Sequence, residues 1–176
     1  MIVPVLRRGE YFECCVSPVI YSNSVRIRIH AFKFRAKPYL AEGFGEAIAD
    51  SIKTQYSNIE FDVCTYAPIG KKSLKKRGYN QAKLLALQVS KRLDLPCEEL
   101  VLKVKQTETQ VSVKNFHNRR KNLDHSMAGI KCSHKNILLI DDVITTGSTL
   151  DECARAIMAK NRSARVFCAT IANTER

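Results

Sequence analysis

Apolar residues recur at helical spacing along the chain, with short apolar runs between the helical stretches. Leu40, Phe44, Ala47, Ile48 and Ile52 predict a helix over residues 38–53. Ala82, Leu85, Ala86, Val89 and Leu93 predict another over 80–93, and Leu150, Cys153, Ala154, Ile157 and Met158 give a third apolar stripe. Residues 61–67 form a strand pattern stopped by Pro68, and residues 100–104 and 165–171 form two more. Ile137, Leu138, Leu139 and Ile140 are continuously apolar, as in a strand buried on both faces of a parallel sheet. Residues 25–30 fit two patterns. Val25, Ile27 and Ile29 alternate with Arg26, Arg28 and His30 as in a strand, but Val25, Ile29 and Phe32 also share a helical face. Strands alternating with helices predict an α/β domain with a mostly parallel central sheet flanked by helices. Residues 105–126 form a polar stretch with little apolar periodicity.

The 176 residues suit one domain with a sizeable core, and the net charge of +12 points to anionic partners: phosphorylated metabolites, nucleic acid or an acidic protein. Basic residues gather at 71–77 and at 114–121. Taken alone, both read as solvated loops, and neither interleaves aromatics as a platform for single-stranded nucleic acid would. No apolar run is long enough to span a membrane, and no secretory leader is expected at the start. The cysteines number seven and show no C-x-x-C spacing, so a reducing, cytoplasmic setting is expected, with no zinc site.

Chemistry concentrates where the strand ending at Ile140 runs into Asp141 and Asp142. Adjacent carboxylates at the end of an apolar strand are costly unless solvent or a polar ligand meets them. Val143 and Ile144 follow, then Thr145, Thr146, Gly147, Ser148 and Thr149, hydroxyls around a glycine where a helix opens. A helix start offers free N–H groups and partial positive charge, and glycine lets a phosphate approach the backbone. Thr149 and Glu152 have the spacing of a capping box. Acids beside phosphate donors suit a ligand with hydroxyls at one end and a phosphate at the other, as in ribose 5-phosphate.

Residues 140–149 resemble the fingerprint of type I phosphoribosyltransferases, which bind 5-phosphoribosyl 1-diphosphate (PRPP) with magnesium. Pro68 followed by residues 71–82, with Arg77-Gly78-Tyr79-Asn80-Gln81, resembles a segment of the ComF family of competence-associated phosphoribosyltransferase-like proteins. Thr107, Gln110, Arg119 and Asn122 are also similar to that family's pattern. The resemblance implies the type I phosphoribosyltransferase fold over residues 21–176, after a degenerate or truncated remnant of a zinc module at 1–20. It implies that Pro68, Ile69 and Gly70 meet the diphosphate, that Lys71 adds charge, and that Arg77 and Asn80 lie near the ligand. It further implies a loop over residues 105–122 that closes on the diphosphate, with Lys105 and Arg119 stabilising its charge. Asp141, Asp142, Arg77 and Lys105 would then be the groups acting in catalysis.

The chain departs from these patterns in two places. Only Cys14-Cys15 stands where a four-cysteine module would end, and Thr145 stands where purine salvage enzymes of this fold carry an acid. Three readings stay open. One is a glycosyltransferase moving phosphoribosyl to a nitrogen acceptor, linked to DNA uptake. Another is a non-catalytic module that senses PRPP or a nucleotide in competence or regulation, and the third is a charge-driven nucleic-acid binder.

Overall fold

The structure, a computed structural model, describes residues 5–104 and 126–174; the expected closing loop, with Lys105 and Arg119, lies outside the described residues. Parallel strands β2 (Cys15–Ser17), β4 (Val63–Tyr66), β7 (Asn136–Ile140) and β9 (Arg165–Ala169) make the main sheet in the order β2-β9-β7-β4. β1 (Val5–Arg7) adds an antiparallel edge against β2. Consecutive side chains of a strand face opposite ways, yet Ile137, Leu138, Leu139 and Ile140 are all fully buried, so both faces of β7 are covered. Helices α2 (Leu40–Gln55) and α4 (Gln81–Leu93) pack on each other and on β2, β4 and β7. Helix α5 (Ser148–Lys160) packs on β9 and on a small antiparallel pair, β5 (Val101–Lys103) with β6 (Met127–Gly129). The strand expected near residue 100 therefore lies outside the main sheet.

The sheet breaks and resumes. β3 (Val19–Ile20), β8 (Val143–Ile144) and β10 (Ala172–Asn173) form a second parallel sheet in the order β3-β10-β8, which repeats the order of β2, β9 and β7 before them. The interruptions are Pro18, Asp141-Asp142 and Thr170-Ile171. Proline has no N–H for a ladder, and the Asp141 carboxylate accepts the Asp142 N–H at 2.8 Å, a local bond that competes with strand pairing. Cross-links hold the break in register. The Ser17 and Thr170 hydroxyls lie 2.7 Å apart, Asp141 N–H donates to the Ala169 carbonyl at 3.1 Å, and Ile171 N–H donates to the Asp142 carbonyl at 2.9 Å.

The ambiguous segment is a helix, α1 (Asn23–Phe34): Ile29 and Phe32 are buried, whereas Ile27, which a strand would hide beside Ile29, is 67% exposed. The first basic cluster, read as a loop, is a short helix, α3 (Lys71–Arg77), with no buried residues and with Gly78 at φ 81° at its end. Residues 5–20, set apart in the sequence reading, supply β1, β2 and β3 to the sheets, and Cys15 is buried in β2.

Candidate phosphoribosyl site

The break in β7 and β8 carries the site. After β8 the chain turns through Thr145, Thr146 and Gly147 into α5, with Gly147 at φ 83°, a conformation that costs a residue with a Cβ about 1–2 kcal/mol. The expected capping box does not form. Gly147 takes the N-cap position, Thr149 lies inside the helix, and buried Glu152 pairs with Arg155 at 2.9 Å instead of reaching back. The start is fixed instead by Thr146, whose hydroxyl lies 2.8 Å from that of Ser148 and faces the Ser148 N–H at 3.4 Å. Asp141, Val143, Ile144 and residues 145–150 line one hollow.

A second hollow adjoins it, sharing Asp141 and Thr149 and adding Asp142, Ala67, Pro68, Ile69, Arg77, Asn80, Gln81 and Ala82. The fold thus brings Pro68, Ile69, Arg77 and Asn80 to the two acids. Gly70 and Lys71 lie at the start of α3 and line neither hollow. Lys103 of β5 approaches there: a Cβ on Gly70 would stand 3.9 Å from its Nζ. Asn80 has a structural task as well. Its Oδ1 accepts from the N–H groups of Ala82 at 3.0 Å and Lys83 at 3.4 Å, capping α4, and its Nδ2 donates to the Ala67 carbonyl at 3.0 Å.

Charge in the site is finely opposed. Lys33 Nζ, from α1, lies 2.8 Å from Asp142 Oδ1, with both side chains largely buried. Burial and the neighbouring Asp142 carboxylate push Asp141 up to about 7, against the Asp142 N–H, Lys33 and Arg77, which favour its ionised form. Arg77 Nη1 donates to Gln81 Oε1 at 3.0 Å, which fixes the orientation of that amide. Gln81 Nε2 is then a buried donor with no partner among the described residues, at the wall of the second hollow. Sequence reading missed Lys33 and Gln81 as site residues. Lys33 carries no local signal, because only the docking of α1 brings it to the acids. Gln81 is signalled by polarity on the inward face of a helix start.

The basic surface also differs from its sequence reading. Phe34 of α1, half exposed, lies under Arg77 at 5.0 Å and Lys76 at 5.8 Å, so an aromatic does stand among the cations of α3, supplied by another helix.

Residues 76–176 match the phosphoribosyl transferase domain family. Competence protein F of Haemophilus influenzae is 33% identical over 146 residues, covering 78% of this chain and 63% of that protein. Competence protein ComFC of Bacillus subtilis is 30% identical over 155 residues, 86% of this chain and 60% of that one. The chain belongs to the ComF family. It spans 60–63% of the length of these two ComF relatives. Its fold is that of the type I phosphoribosyltransferases. Glutamine phosphoribosylpyrophosphate amidotransferase from B. subtilis superposes with a TM-score of 0.51 at 13% identity, over 79% of this chain and 30% of that one.

Proposed function

We propose that this ComF-family chain binds PRPP across the two adjoining hollows and transfers its phosphoribosyl group to a nitrogen acceptor, as part of DNA uptake. The observation that carries the reading is the pair Asp141–Asp142, which sits where the phosphate loop meets the Pro68–Ile69 turn and Arg77. Thr145, Thr146, Gly147, Ser148 and Thr149 hold the 5-phosphate, and Asp141 and Asp142 accept hydrogen bonds from the ribose hydroxyls. Pro68, Ile69, Arg77 and the unpartnered Gln81 amide face the diphosphate, with Gly70, Lys71 and Asn80 framing that side. Lys105 and Arg119, outside the described residues, add positive charge for it.

Hard carboxylate oxygens and an orphaned amide donor fit a magnesium diphosphate. Magnesium, when bound with PRPP, neutralises charge on the departing diphosphate. In the transfer the ribose C1–O bond to diphosphate breaks, the diphosphate keeps the bonding electrons, and the acceptor nitrogen supplies the pair for the new C1–N bond and releases its proton to solvent. The acids then hold the positively charged ribose while Arg77 and Lys105 hold the leaving group.

The names of the two competence relatives support the link to DNA uptake, and seven free cysteines support a cytoplasmic location. Among the described residues no helix is long and apolar enough to cross a membrane. A non-catalytic sensing module is the second reading, favoured by Thr145 in place of an acid at the base-activating position.

Calorimetric titration with PRPP and magnesium tests the proposal. The wild type binds, and Asp141→Asn/Asp142→Asn weakens binding by about tenfold or more, as expected on losing charged hydrogen-bond acceptors. Absence of wild-type binding sinks both readings. Binding with no diphosphate release, across a panel of nucleobases and ammonia, selects the module.

A further inference from the structure

The phosphate loop is gripped from behind by a part of the chain that lies outside the matched domain. Arg7, on β1, donates from Nη1 to the Thr145 carbonyl at 2.5 Å and from Nη2 to the Thr146 carbonyl at 3.0 Å. The turn after β1 is tied to the same helix start: Asp151 Oδ1, in the first turn of α5, accepts the N–H groups of Glu10 at 2.8 Å and Tyr11 at 2.9 Å. Gly9 is needed for that approach, because a Cβ there would stand 2.5 Å from Asp151 Oδ1.

Peptide geometry turns this grip into a constraint on the loop. In a trans peptide the C=O and the following N–H lie in one plane and point in opposite directions, and no cis bond is present among the described residues. Holding the Thr145 and Thr146 carbonyls toward Arg7 therefore turns the N–H groups of Thr146 and Gly147 the other way. Neither N–H has a partner among the described residues. We infer that Arg7 is a positioning residue of the phosphoribosyl site: it sets two peptide planes so that the Thr146 and Gly147 N–H groups meet the 5-phosphate, and the β1–β2 hairpin is a working part of that site. The inference rests on the proposed ligand for its binding consequence, but the peptide orientation stands without one.

Arg7→Met, Arg7→Lys and Gly9→Val are compared with the wild type by titration with ribose 5-phosphate and, separately, with inorganic pyrophosphate. Arg7→Met is expected to weaken ribose 5-phosphate binding by about tenfold or more, with the loss persisting at high salt because it comes from geometry and not long-range attraction. Pyrophosphate binding changes by less than about twofold, since Arg7 grips only the monophosphate end. Arg7→Lys, which keeps the charge but cannot span two carbonyls, falls near Arg7→Met, and Gly9→Val reproduces the loss by displacing the turn. Equal affinity for ribose 5-phosphate in Arg7→Met and wild type, or equal losses for both probes, overturns the inference. Amide NMR of the ligand-free proteins separates this from the functional reading. If the wild type binds neither probe, the ligand assignment falls. Shifted Thr146 and Gly147 amides in Arg7→Lys then still support the brace, and unshifted ones end it.

Discussion

At Asp141 the chain places a carboxyl where burial and a second carboxylate both oppose its charge, and the result is a group that titrates near neutrality, raised to about 7. An acid raised in the folded state holds its proton over a range where the unfolded chain has already lost it. Between about pH 4, the ordinary value, and about 7, folding therefore takes up a proton, and this group's contribution to stability falls as pH rises. In Asp141→Asn that decline is absent. By differential scanning calorimetry the variant's thermal midpoint should gain on the wild type from about pH 4 to about 7 and hold a constant lead above it. A lead that does not change with pH would show that Asp141 is as ionised in the folded chain as in the unfolded one. The same conflict gives Asp141 a reason to meet hydroxyl donors, since they stabilise its anion. Its neighbour differs: Asp142 already has the Lys33 ammonium, 2.8 Å away.

Among the elements, legibility followed pattern length. The stripes of α2, α4 and α5 and the apolar run of β7 are long enough to state their type and inward face, and they fold as their periodicity says. β1, β2 and β3 are too short to show a period, and β2 finds its partner in β9 at the far end of the chain, so nothing local announces it. α1 was ambiguous because both periods fit, and only the packing of Phe32 against Phe44 and Tyr79 decides for the helix. The chemistry of residues 141–149 could be read because contiguous residues build that half of the site, whereas Lys33 and Arg7 reach it from separate elements. Substitution separates the two faces of α1. Phe32→Ala should cost about 3–5 kcal/mol in denaturant unfolding, the usual loss for a buried aromatic. Ile27→Lys should stay within about 0.5 kcal/mol, as expected at an exposed position.

Over the whole molecule the charge of +12 is not spread evenly in function. Part of it faces the proposed ligand through Arg77 and Lys33, and part lies along α3, where Phe34 sits beneath Lys76 and Arg77. A surface of this kind should take a single-stranded oligonucleotide with an affinity that falls steeply with salt, by a slope of roughly 0.7 per phosphate neutralised. Fluorescence anisotropy with a labelled oligonucleotide from low to high salt checks this, and Phe34→Ala should weaken binding by about 1–3 kcal/mol if a base stacks on that ring. A flat salt dependence would mean that the basic face does not take up polyanions.

The break shared by three neighbouring strands has one more consequence, which concerns how such a protein can change over time. Asp141 and Asp142 line the cleft between two ladders whose paired residues do not include them, and their ties across the break are made by backbone groups. Exchanging a side chain there alters what the cleft can hold while the hydrogen-bonded skeleton on either side keeps its partners. Selection can therefore retune the chemistry at this seam, or lose it altogether, and still inherit a molecule that folds.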